Sequence, residues 1–191
     1  YGMGFAPFFI SLACWVGAVL LFFVVPLRPE NRLTATRFQT VFAPMPAFVL
    51  VSVLQGIAVA IGTLLIGVNV NNIVLLFGMT ILMSICFAFI NQLLNLMFGI
   101  SGRGVAIIFL ILQLCSCGGT FPVELISEFF KTISPYMPFT YSVRALKEIM
   151  FGQDVSLIFV NAAITAAIGA ATVLLSLVVH RMGLRRDKLP A

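Results

Sequence analysis

The sequence predicts an all-α membrane protein: five transmembrane helices and, on the outer side, a hairpin of two short helices. Three observations carry that expectation. The 191 residues are 61% hydrophobic and 9% charged, with a mean hydropathy of +1.15, a composition outside the range of ordinary soluble domains. The apolar residues gather into runs near the roughly 20 residues that cross a hydrocarbon core of about 30 Å as helix. The charge-rich internal stretch, residues 118–154, is broken by glycine and proline into pieces too short to cross.

The expected spans are about 7–25, 47–68, 73–98, 105–117 and 155–179. The first holds Trp15 and several phenylalanines. The fourth is short and borrows Gly102–Gly104 and Gly118-Gly119 at its ends. The fifth carries Ala162, Ala166 and Ala170 beside a second row of Ala163, Ala167 and Ala171. Small residues four apart let helices approach closely, so this span is expected to pack inside a bundle rather than face lipid all round. Tyr1 opens the chain without a basic leader, unlike a signal peptide, and the 191 residues are expected to be the C-terminal part of a longer polypeptide.

The hairpin is read from its breaks. Gly118 and Gly119 end the fourth span abruptly, and Pro122 suits the first turn of a helix. Glu124, Glu128 and Lys131 share one face of that helix, Ile126, Phe129, Phe130 and Ile133 another. Lys131, one turn beyond Glu128, is placed to offset the two acids. Pro135 pushes Ser134 out of the α region, and Pro138 makes a second break. Thr140 is expected to cap the second helix, Arg144 to pair with Glu148 at i, i+4, and Gly152 to stop it.

Orientation follows from lysine and arginine in the connections. Arg28, Arg32, Arg37, Arg103, Arg181, Arg185, Arg186 and Lys188 fall on one side, Lys131, Arg144 and Lys147 on the other. The richer side is expected to be cytoplasmic, which puts the N-terminus of the chain and the hairpin outside and the C-terminus inside the cell membrane. The net charge of +5 carries no nucleic-acid reading, because the basic residues sit at membrane edges.

Catalysis, metal binding and a cofactor are not expected. None of the five spans holds a charged residue, which counts against an ion-coupled carrier, and no phosphate-cradling G-x-x-x-x-G-K-[ST] loop is present. His180, the single histidine, lies at a membrane edge as an anchor. Cys14, Cys86, Cys115 and Cys117 all lie in apolar segments, so the reading is packing rather than metal or redox chemistry at Cys115-x-Cys117. The most polar residues within the spans are amides. Asn91 and Asn95 share one face of the third span with Gln92 beside them. Two readings stand: hydrogen bonds between helices, of order 1 kcal/mol each, or a polar strip lining a substrate path. Residues 26–43, with Arg28, Glu30, Arg32, Arg37 and Phe38, also keep two readings, an anchor on anionic membrane lipid or a docking element for a partner.

Several longer motifs add a resemblance. GMGFAPFFISLACWVGA at the start, FGISGRG after the third span, and LQLCSCGGTFPVEL followed by SPYMPFTYSVRALKE resemble the phage infection protein (YhgE/Pip) family over essentially the whole chain. Cys117 stands where serine is usual, and FGISGRG lacks an expected asparagine at Ile100 or Ser101; neither departure touches a charge. That family is similar to the type-2 permeases of the ATP-binding cassette superfamily. The resemblance implies a permease domain that works as a homodimer with a separate ATPase, with residues 26–43 as the coupling element and a re-entrant pair of helices before the last span. It also implies an alternative, a non-transporting dimeric anchor for an extracellular stalk used in phage adsorption or type VII secretion.

Overall fold

A lipid-embedded backbone has no water to bond with, so its N–H and C=O groups must be satisfied inside helices or closed barrels. The computed structural model, which describes residues 2–24, 45–119, 127–152 and 154–186, takes the helical solution. Its helices are α1 (Gly2–Val24), α2 (Met45–Leu65), α3 (Ile73–Phe98), α4 (Gly102–Ser116), α5 (Glu128–Ile133), α6 (Pro138–Met150) and α7 (Val155–Arg186). Four of them, α1, α2, α3 and α7, are long and apolar enough to cross a membrane. At 15 residues α4 falls short of the length a crossing needs. The first helix begins five residues before the expected span, running through Pro7, and the last extends to Arg186.

Local chemistry sets several of these boundaries. Asn72 caps α3, its side chain accepting from the Leu75 amide at 3.1 Å, and the Asp154 carboxylate accepts from the amides of Ser156 and Leu157 at the start of α7. Both satisfy amides that a first turn leaves unbonded. Gly118, just past α4, has φ of +62°, a left-handed conformation open to glycine at no steric cost.

The long third helix is the axis of the bundle: α1, α2, α4, α6 and α7 all pack on it. The Ser11 hydroxyl reaches the Met83 sulfur at 3.9 Å, and Trp15 lies edge-on to Phe87 with centroids 5.0 Å apart, so α1 runs alongside α3 in the same direction. Gly56 of α2 sits so close to α3 that a Cβ there would come within 2.7 Å of the Ile81 Cα. Gln55 locks the same helix to α1 by donating to the Cys14 carbonyl at 2.7 Å.

The two ends of the bundle differ in chemistry. At one, the Asn71 amide donates to the Gly152 carbonyl at 3.0 Å, joining the turn before α3 to the turn before α7. At the other, Arg103 donates to the Phe22 carbonyl at 2.7 Å and lies 4.5 Å over the Phe23 ring. A cation there satisfies a carbonyl that the last turn of α1 leaves open.

The last helix packs on α3 and α6 as expected of a bundle member, but its alanine rows do not make the packing face. Ala163, Ala166, Ala167, Ala170 and Ala171 are exposed, and the buried row is Ile158, Asn161, Thr165, Gly169 and Ser176. Gly169 lies on that row against Cys86 of α3, where a Cβ would meet Cys86 at an ordinary contact distance of 3.5 Å. The polar members cost little inside, because Asn161, Thr165 and Ser176 each donate to a carbonyl four residues back in the same helix.

Candidate functional site

The feature that sets this bundle apart is a half-length helix, α6, inserted among long ones. Proline builds its start. Met137 is extended, Pro138 takes the first helical position and Met137 carries no side-chain cap bond, so Pro138's fixed φ sets the first turn. Thr140 is therefore not the cap expected from sequence. Its hydroxyl turns back to the Ser134 carbonyl at 3.0 Å and tethers the turn Ser134–Tyr136 to α6. Tyr141 adds a second tether, donating to the Pro135 carbonyl at 2.6 Å. At the far end, the Gly152 amide bonds back to the carbonyls of Lys147 and Glu148, close to the expected stop.

The depth of α6 follows from its contacts. Phe139, in its first turn, stacks on Phe87 at 6.0 Å and meets Phe8 edge-on at 6.0 Å. Phe87 lies fourteen residues into α3, about 21 Å from that helix's start at 1.5 Å per residue. Gly152, just past the other end of α6, touches Asn71 beside the start of α3. The helix thus rises from the middle of the bundle to one end, and its thirteen residues span about 20 Å. Phe139, Val143, Leu146, Ile149 and Met150 face inward and are no more than 2% exposed. Trp15 and Phe109 continue the aromatic contacts from Phe87 to α4.

Gly118 and Gly119 join this structure to α4. The Lys147 ammonium donates to the Gly118 carbonyl at 2.9 Å, fixing the chain's exit from α4 to the outer half of α6. Gly119 is buried, and a Cβ there would lie 2.5 Å from Cδ2 of Phe8, so no side chain fits. Pro122 and Glu124 lie outside the described residues. Glu128 pairs with Lys131 at 2.8 Å on the six-residue α5, as their spacing predicts, and Pro135 is exposed. Phe129, on the face expected to point into the bundle or the lipid boundary, is exposed as well.

Arg144 and Glu148 do not form the expected pair: the ion pair between Lys131 and Glu128 is the one present among the described residues. Glu148 instead leans over the end of α6, where a Cβ on Gly152 would collide with its carboxylate. Arg144 is left exposed beside a cleft of about 340 Å³ between α6 and α7. Tyr141, Arg144, Lys147 and Glu148 line it from α6, and Leu157, Val160, Asn161 and Ile164 from α7.

The amides of α3 are buried together, Asn91, Gln92 and Asn95 at 0%, 1% and 8% exposure. Asn91 and Asn95 do not bond between helices. Each donates to its own helix, Asn91 to the Phe87 carbonyl at 2.9 Å and Asn95 to the Asn91 carbonyl at 2.8 Å, since a side chain four residues on already lies against that carbonyl. Gln55 of α2 is an amide that does bond between helices, to the Cys14 carbonyl of α1. Cys14, Cys86 and Cys117 are buried and Cys115 is exposed, all as free thiols. The candidate docking residues Arg28, Glu30, Arg32, Arg37 and Phe38 lie outside the described residues.

Two contributors escaped sequence reasoning. Phe139 belongs to an apolar row with Val143, Leu146 and Met150, a spacing readable as a helix face. The bond from Lys147 to Gly118 joins residues 29 apart and has no local signature.

The profile of a family described as ABC-2 family transporter protein matches residues 1–178. The chain is 31% identical over 189 residues to the uncharacterized protein YhgE of Bacillus subtilis (strain 168), a match covering 98% of this chain and 24% of the relative. The chain therefore spans about a quarter of the length of that curated relative. No solved structure gives a match.

Proposed function

The chain belongs to the ABC-2 transporter family, and from that premise we propose that it is the permease domain of an exporter, a homodimer driven by a separate ATPase and without a catalytic step of its own. The observation that carries this reading is the course of α6. A helix that begins at the depth of Phe87 and leaves beside Asn71 closes one end of a bundle without crossing it. Residues 118–154 then form a re-entrant hairpin over the outer end of a substrate path, and α4 makes a fifth crossing together with the residues that follow Ser116.

Sidedness in this reading follows the basic residues. The end holding Arg103 is cytoplasmic, and the end holding Asn71 and Gly152 is outside. Phe22 packs on Phe48 with centroids 4.8 Å apart, so α1 ends and α2 begins at the Arg103 end. Residues 26–43 connect them there, and Arg28, Glu30, Arg32, Arg37 and Phe38 are the proposed contact with the ATPase.

Two measurements test the reading. A cysteine at Asn71 should react with impermeant thiol reagents applied outside, and one at Ser101 should not. Ser101 is preferable to Gly102, where a Cβ would sit 2.5 Å from the Leu94 carbonyl oxygen. Reversed labelling removes both the sidedness and the role of the loop. Purification from native membranes should bring down an ATPase, and Arg32→Glu or Arg37→Glu should reduce its recovery while the inserted permease is unchanged. Recovery as a homodimer with no ATPase would leave the anchor for an extracellular stalk.

A further inference from the structure

The geometry points to the cleft between α6 and α7 as a binding site for an anionic phospholipid, its phosphate held by Arg144 and Lys147 and an acyl chain lying along α7. The inference requires a membrane-embedded bundle and stands apart from any coupling to an ATPase.

The charges come first. Arg144 is exposed and makes no hydrogen bond or ion pair with any described residue. Lys147 commits one N–H to the Gly118 carbonyl, which fixes the ammonium at the rim with two N–H donors to spare. Glu148 is the carboxylate on this wall, and it leans over Gly152 instead of neutralising Arg144. Two cations face one anion, leaving the rim positive. Tyr141 has committed its hydroxyl proton to Pro135, so it does not compete as a donor.

Depth and wall chemistry then name the occupant. Arg144 lies eight residues before Gly152 in the chain, about 12 Å along the helix axis, and Lys147 about 7 Å. The polar layer of a bilayer leaflet is about 5–8 Å thick; with Gly152 at its outer edge, Lys147 stands at the base of that layer and the Arg144 backbone about a turn below it, from which the long side chain carries the guanidinium up toward the phosphates. A cation left unpaired at that depth is costly and is relieved by a counter-charge. Guanidinium matches phosphate with two parallel hydrogen bonds. Across the cleft, Leu157 and Val160 are 46% and 51% exposed, and with Ile164 they continue the wall downward as hydrocarbon, interrupted by Asn161, whose amide N–H is committed to the Leu157 carbonyl. A cation pair above an open apolar strip fits an amphiphile arriving sideways from the bilayer.

The test uses the protein in nanodiscs of phosphatidylcholine doped with phosphatidylglycerol, with photoactivatable analogues of each lipid. Phosphatidylglycerol analogue should crosslink to residues 141–148 and 157–164 in preference to the phosphatidylcholine analogue. Arg144→Gln should cut that labelling about tenfold, as loss of a charged hydrogen-bond pair does, while the thermal transition holds because the side chain is exposed. Arg144→Lys should restore part of it. Leu157→Asp, which sets a carboxylate opposite the rim without touching α6, should cut it as well. Equal labelling by the two lipids, or labelling indifferent to Arg144→Gln, would overturn the site. Displacement by soluble glycerol 3-phosphate would overturn the lipid and assign the cleft to a free phosphoester.

Discussion

Helices α6 and α7 follow one another in the chain and pack together, yet they are built on opposite plans. The shorter one reads like a helix from a water-soluble protein, with Phe139, Val143, Leu146 and Ile149 inward and Arg144 outward. Its neighbour is turned inside out. It faces the bundle with Asn161, Thr165, Gly169 and Ser176 and presents Phe159, Leu174 and Leu175 outward. The plan recurs in α2, where Ser52, Gly56, Ala60 and Thr63 are buried and Leu50, Leu54 and Leu65 exposed. Lipid tails are as apolar as leucine, so apolarity gives no drive to bury a residue against other helices, and close packing of small residues decides which face turns inward. Apolar character therefore marks the core in α6 and the periphery in α7.

The largest test of the contrast is to empty the core of the half-length helix. Phe139→Ala removes a ring that touches both Phe8 and Phe87 and should destabilise the bundle by about 3–5 kcal/mol, as loss of a buried aromatic does. Detergent-solubilised thermal unfolding reads it, and a change below 1 kcal/mol would mean that α6 is a surface element.

An intermediate effect is expected on the inward face of α7. Gly169→Leu forces bulk against the backbone of Cys86 and should cost about 1–3 kcal/mol. Gly169→Ala should be nearly neutral, since its Cβ would meet Cys86 at an ordinary contact distance of 3.5 Å. Equal losses in the two variants would show that helix separation, rather than fit, governs this contact.

The smallest effect is expected outside. Leu174 is 64% exposed on α7, and Leu174→Ala should shift stability by less than about 0.5 kcal/mol, despite deleting more apolar surface than many core substitutions. A larger loss would mean that this face is covered, as by the second copy of a homodimer.

The membrane class, the helical fold and the positions of the long helices were legible in the sequence, because a helix crossing lipid must be a long apolar run whatever it packs against. The span 73–98 coincides with α3, and the pairing of Glu128 with Lys131 follows from a single turn of helix. The facing of α7 was not legible from its alanines. Small rows four apart announce that close approach is possible, but the rows through Ala163 and through Asn161 are equally available, and the packing on α3 and α6 turned the Asn161 row inward. The missing pair between Arg144 and Glu148 has the same origin. Spacing brings two side chains within reach, while the Glu148 carboxylate lies over Gly152 and the Arg144 guanidinium stays at the cleft.

Sequence alone determined what is encoded locally: the crossing helices by continuous apolarity, and the breaks at Gly118 and Pro138 by backbone geometry. Only the tertiary structure decided the depth of α6, because that depth rests on Phe139 meeting Phe8 and Phe87, and on Lys147 meeting Gly118. Contacts between residues so far apart in the chain leave no periodic trace, and a thirteen-residue helix has the same local pattern at the surface of a bundle as in its middle.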